Sequence, residues 1–207
     1  MFAEAGLITN PRARSQRRAA LRDVLGAQAY GSQFVVGAAT AFGEIEAVRF
    51  KALIDNARAL GASSLRLTPW RAFLIAGLDP RSAESLVDSM TELGFIADPA
   101  DPRLRIAACP GAPACMHGHR RVRDDATHWA ATLPKGDGVI LHVSGCAKGC
   151  ARPAATAATF TATAAGYDLI VGGRAGDPPT RHGLSGAEVM QSLANDDAGM
   201  FAAERLS

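Results

Sequence analysis

With 207 residues the chain can bury a real core, and its length suggests one or two domains. Hydrophobic residues make up 48% and charged residues 20%, the proportions of an ordinary globular protein, and a net charge of +2 excludes a general polyanion-binding role, so no nucleic-acid partner is expected. No apolar run is long enough to span a bilayer, and Met-Phe-Ala-Glu-Ala-Gly lacks the basic-then-apolar order of a secretory leader; no membrane partner and a cytoplasmic location are therefore expected.

Residues 10–22 form a basic leader, read as a solvated linker or helix face within a segment 1–30. From Phe34 to Ala39 a strand is expected. Residues 46–60 then place Phe50, Leu53, Ile54, Ala57 and Leu60 on one helical face, which Gly61 terminates. Strands are expected at 64–68 and 72–76. Asp79-Pro80 opens a second helix with Leu86, Val87, Met90 and Leu93 on its apolar face, and Gly94 ends it. Two strand–helix units in succession indicate an α+β arrangement with the helices on one face of a sheet, a ferredoxin-like half-domain over residues 31–100. Residues 101–207 form the second expected domain. Its elements are a helix through Arg120–Leu133, a buried strand at 139–143, a hairpin of 160–163 and 167–171 around Ala165-Gly166, and a last helix opened by the capping box Ser185-Gly186-Ala187-Glu188.

All four cysteines fall in two tight pairs, Cys109/Cys115 and Cys146/Cys150. Without export signals, paired cysteines point to metal or redox chemistry instead of disulfides. Four thiolates can hold a cubane iron–sulfur cluster or a tetrahedral zinc. Zinc knuckles usually leave two residues between paired ligands, whereas five and three intervene here. Small residues and prolines crowd both loops, so the backbone can approach an inorganic cluster and aim N–H groups at it. The residues favour a [4Fe–4S] site held by Cys109, Cys115, Cys146 and Cys150, with zinc and four buried structural thiols as open alternatives.

Cys-x5-Cys followed by Gly-Cys-x-x-Gly-Cys-Ala-Arg-Pro resembles the iron–sulfur domain of the sulfite and nitrite reductases. Within that superfamily, His142-Val143-Ser144-Gly145-Cys146-Ala147-Lys148-Gly149-Cys150, Cys-Pro-Gly-Ala-Pro-Ala-Cys and Arg66-Leu67-Thr68-Pro69-Trp70-Arg71 are similar to the precorrin-3B synthase family, because reductases usually carry Pro-Asn where Ala147-Lys148 stands. The resemblance covers about residues 30–180. It implies a ferredoxin-like half-domain followed by a sulfite/nitrite reductase-type [4Fe–4S] α/β domain that also binds a tetrapyrrole. The implied activity is an iron–sulfur monooxygenase of aerobic cobalamin biosynthesis, oxidising precorrin-3A with dioxygen by C20 hydroxylation and γ-lactone formation, with an external electron donor. It further implies that only the second of two pseudo-symmetric halves is present, so a separate N-terminal half is an expected partner. The alternatives are a sirohaem-dependent sulfite or nitrite reductase fragment, in which a haem-type macrocycle is bound and Cys150 matches the bridging cysteine, and a non-catalytic cluster-binding subunit.

A precorrin carries many carboxylates, which suit the forked guanidinium, so Arg66, Arg71 and Arg152 are candidate substrate contacts against a bland reading as surface arginines. Lys148, inside the second cysteine loop, would raise a cluster's reduction potential or simply face solvent. His117 and His119, with Asp124 and Asp125 nearby, invite a non-haem iron reading; exposed histidines are the alternative. His128 and His182 carry no chemistry of their own, and His142 reads as a packed residue in the strand before Cys146. Gly172-Gly173-Arg174-Ala175-Gly176 resembles a phosphate-cradling loop without the strand–turn–helix setting of a nucleotide site. No catalytic residue is assigned from the sequence.

Overall fold

The structure, a computed structural model, describes residues 21–201. Most of the basic leader, residues 10–20, lies outside them. Two sheets organise the rest. The first is antiparallel throughout, in the order β1-β2-β4-β3, with β1 at Gly26–Tyr30, β2 at Gln33–Ala39, β3 at Ser64–Leu67 and β4 at Ala72–Leu78. Strand β1 falls in the segment read as leader or linker. It pairs with β2 through the two-residue turn Gly31-Ser32, where Gly31 takes the positive φ of 63° that such hairpin turns favour.

Helices α1 (Ala47–Ala59) and α2 (Pro80–Glu92) cover one face of this sheet, as their periodicity predicts. Leu53 and Ala57 of α1 and Ala83, Leu86 and Met90 of α2 are buried with Val36, Ala38, Phe73 and Ile75 from the strands. Asp79 caps α2, its carboxylate accepting from the N–H groups of Arg81 and Ser82 at 3.0 and 3.1 Å. The hydroxyl and N–H of Ser82 hold that carboxyl below its ordinary pKa.

The opposite face is approached by the turn Leu21–Val24. A side chain at Gly37 would stand 1.6 Å from the Val24 carbonyl oxygen, so glycine is required for this close approach. Gly37→Ala is expected to unseat the turn and cost about 1–3 kcal/mol by overpacking. A thermal midpoint within 1 °C of wild type would refute this account.

The second sheet runs β5-β6-β7-β8-β9, with β5 at Ile106–Ala108, β6 at Leu141–Ser144, β7 at Ala158–Ala162, β8 at Tyr167–Val171 and β9 at Arg181–Leu184. Strands β5, β6 and β7 are parallel; β7, β8 and β9 are antiparallel, and β7–β8 is the expected hairpin. Helices α3 (Val122–Trp129) and α4 (Gly186–Asn195) close one face over a core of Val122, Trp129, Leu141, Val143, Phe160, Leu169, Val189 and Leu193. Helix α3 is shorter than the expected 120–133 because Ala130–Thr132 tightens into a 3-10 turn. Ser185 accepts from the Glu188 N–H while Glu188 accepts from the Ser185 N–H, completing the capping box of α4.

Phe42, in the turn after β2, is buried in the core of the second sheet, and Arg123 of α3 pairs with Glu44 beside it. A cleft of about 530 Å³ opens here, lined by both units and by Pro110, Pro113 and Ala114 of the first cysteine loop. Its arginines are matched internally: Arg49 with Glu46, Arg103 with Asp101, Arg121 with Asp124 and Arg123 with Glu44. Among the described residues no helix is long and apolar enough to cross a membrane.

Candidate cofactor site

Parallel pairing of β5 with β6 is what brings the two cysteine pairs together. Ala108 is opposite Val143 in register, so both strands end at the same edge. Cys109 follows β5 immediately, and Cys146 follows β6 after Gly145. Ends of parallel strands leave backbone groups free to face a ligand. The loops are also stitched directly: the Gly145 N–H donates to Cys109 Sγ at 3.1 Å, and the His119 N–H donates to the Gly145 carbonyl at 3.0 Å.

Three glycines make that approach possible. A Cβ on Gly145 would stand 3.1 Å from Gly111 Cα, 3.3 Å from Cys109 Sγ and 3.4 Å from Gly118 Cα. Within the first loop the Cys115 N–H donates to Gly111 O at 2.7 Å; within the second, Ser144 Oγ donates to Cys146 O at 2.7 Å. All four cysteines are free thiols. Cys109 is buried, Cys115 and Cys146 are half-buried, and Cys150 is exposed.

Among the described residues no three His, Cys, Asp or Glu side chains are grouped to hold a metal ion as they stand. A zinc–thiolate distance near 2.3 Å would draw the sulfurs within about 3.8 Å of one another. A cubane interposes its own irons and sulfides and needs no such spacing. The residues fit a cluster in donor chemistry and in backbone: four free thiols, one already accepting a loop N–H, on glycines that let the chain close in.

The polar face of the second sheet lies under the second cysteine loop. Along β6, Leu141 and Val143 join the apolar core, while His142 and Ser144 alternate to the other face with Thr159 and Thr161 of β7. His142 is fully buried, and neither ring nitrogen has a hydrogen-bond partner. Burial, reinforced by the Arg152 guanidinium, pushes its pKa down to about 4. The loop 172–176 packs beside it: Gly173 O accepts from Thr159 Oγ1 at 2.8 Å, and Ala175 is buried against Gly149. It braces the second cysteine loop and has no helix behind it. A second cleft of about 220 Å³ lies alongside, lined by His119, Ala147, Thr161, Asp168, Ala175 and Asp177 among others.

On the other side of the sheet edge, the Tyr167 hydroxyl donates to Asp125 and Arg120 lies 5.6 Å above the Tyr167 ring. Burial, with the Asp125 carboxylate, raises the Tyr167 pKa. Sequence reasoning offered Asp125 only as a candidate iron ligand and gave Tyr167 no role; only the fold brings the two together.

The remaining predicted residues separate. His117, His119, His128 and His182 are all exposed. Asp124 pairs with Arg121 and Asp125 binds Tyr167, so the suggested His117–His119–Asp124–Asp125 iron site is not assembled. Lys148 faces solvent. Arg66 and Arg71 are exposed on the β3–β4 hairpin; Arg71 takes a positive φ of 60° over Gly43. Neither they nor Arg152 line the two clefts.

No protein-family model matches the chain. It is 34% identical over 173 residues to a precorrin-3B synthase of Sinorhizobium sp., an alignment covering 81% of this chain and 38% of that protein. Over the aligned residues the chain is similar to part of that precorrin-3B synthase. The fold is of the sulfite/nitrite reductase type, matching the solved structure of Mycobacterium tuberculosis NirA with a TM-score of 0.63 at 20% identity, over 82% of this chain and 36% of that one. A dissimilatory sulfite reductase I superposes with a TM-score of 0.45 at 14% identity, over 62% of this chain and 32% of that one. The chain thus spans well under half the length of each of these proteins.

Proposed function

We propose that the chain is the cluster-bearing part of a precorrin-3B synthase-type monooxygenase, acting on precorrin-3A in cobalamin biosynthesis. The observation that carries this reading is the shared edge of β5 and β6, where Gly145 donates to Cys109 Sγ and both cysteine loops meet. Cys109, Cys115, Cys146 and Cys150 would hold a [4Fe–4S] cluster, which supplies one-electron transfer when bound. Hydroxylation of the macrocycle takes one oxygen atom from dioxygen and releases the other as water, consuming two electrons from an external donor.

This chain's own residues bind and orient. The buried Cys109 and the Gly145 N–H anchor one side of the site away from water. Arg152 follows the exposed Cys150 and has no ion pair to a carboxylate among the described residues, so the outer nitrogens of its guanidinium are a candidate contact for a tetrapyrrole carboxylate; Arg66 and Arg71 are further candidates on the β3–β4 hairpin. The relative's remaining length corresponds to a portion that would complete the macrocycle pocket.

Anaerobic purification with iron, sulfide and zinc analysis tests the reading. About four irons and four sulfides per chain, with no sirohaem absorption, are expected for a cubane. Sirohaem bands would assign the chain to the reductases, and zinc without sulfide would reduce the site to a structural knot.

A further inference from the structure

The second cysteine loop rests on two polar groups that find no hydrogen-bond partner among the described residues. His142 is fully buried with both ring nitrogens unbonded, and Arg152 Nε is buried without an acceptor. Both bracket the residue before Cys150. A Cβ on Gly149 would lie 3.6 Å from His142 Cε1, and the Arg152 N–H donates to Gly149 O at 3.1 Å. A buried polar group without a partner is destabilising, so a fully buried imidazole left empty-handed on both sides calls for a ligand.

The neighbouring oxygens are already engaged. Thr159 Oγ1 is shared between Gly173 O and Thr156 Oγ1, Thr156 Oγ1 also contacts Ala158 O, and Ser144 Oγ donates to Cys146 O. Arg152 can only donate, and burial, reinforced by its charge, keeps the imidazole neutral, with one ring N–H to give. Two donors under one loop need an acceptor of negative character. Thiolate-held sulfur is the acceptor that this loop would bring.

We propose that His142 is a positioning residue that donates a ring N–H to sulfur of the bound cluster, with Arg152 compensating its charge from the same side. This rests on the cluster reading above. Hydrogen bonds to sulfur stabilise the reduced, more negative state and raise the midpoint potential. The sequence holds His142 four residues before Cys146, and β6 alternation turns it toward the loop instead of the core.

The test is the midpoint potential of the anaerobically purified protein, with H142L removing the donor and H142Q restoring one. H142L is expected to keep iron and sulfide but shift the potential to a more negative value, with H142Q returning toward wild type. Potentials equal to wild type in both variants would overturn the proposal, since a purely structural histidine changes stability and not potential. If H142L does not fold, pulsed EPR of reduced wild-type protein carrying 15N-labelled histidine decides: a nitrogen coupling to the cluster supports the contact, and its absence overturns it. Wild-type protein that holds no iron and sulfide under strict anaerobic handling defeats the cluster reading and this inference together; wild-type protein that holds a cluster without the coupling defeats this inference alone.

Discussion

Cys146→Ser protein, purified without oxygen, is expected to lose most of its iron and acid-labile sulfide and its brown colour. Serine cannot supply the soft thiolate that iron–sulfur clusters select, and its hydroxyl stays protonated at neutral pH. Cys146, a proposed ligand, directly follows Gly145, whose N–H donates to Cys109 Sγ. In the cluster-free state the substitution touches little, because the Cys146 side chain is only half-buried. The effect should therefore appear as lost linkage: cluster binding stabilises the folded state, and the variant should melt with the cluster-free wild-type protein. A variant that remains brown, with wild-type iron and sulfide, would defeat the assignment of four cysteine ligands.

Trp129→Ala is expected to give the largest loss of stability. Trp129 is 1% exposed at the end of α3, edge-on to Tyr167 with ring centroids 5.0 Å apart and tilted against Phe160 at 5.9 Å. It joins α3 to β7 and β8 in the core that Leu141 and Val143 of β6 share. Truncation of such a residue costs about 3–5 kcal/mol through lost burial and the cavity left behind. At this chain length that corresponds to a fall in Tm of about 10 °C, measured by calorimetry or circular dichroism. A fall of less than about 3 °C would mean that the second core collapses around the gap and is not held by this side chain. The two predictions separate the parts of the site: one removes the cofactor from a standing scaffold, the other weakens the scaffold beneath intact ligands.

Much of the helical structure was legible because its signals are local. The capping box at Ser185 and Glu188, the Asp79-Pro80 start and the spacing of Leu53 with Ala57 each act within a few residues, and each stands where expected. The missed strands share a different character. Strand β1 is short and mostly exposed, β5 is three residues of Ile-Ala-Ala, and β9 begins with exposed Arg181 and His182. Their strandedness comes from partners distant in the chain, and their own residues barely record it.

The cysteine site divides in the same way. Four thiols in two close pairs, on loops of glycine, alanine and proline, are a property of the sequence, and with them comes the proposal of metal chemistry over disulfides. What the chain text does not contain is the pairing of residues 106–108 with 141–143, which sets Cys109 and Cys146 at one sheet edge. Nor does it show His142 stripped of partners beneath Gly149, the Tyr167–Asp125 contact, or the dispersal of the exposed histidines that looked like ligands. Ligand identity is chemistry carried by single residues. Their convergence depends on parallel strand pairing across more than thirty residues, which is decided by burying the two faces of the sheet together and is visible only once the chain has folded.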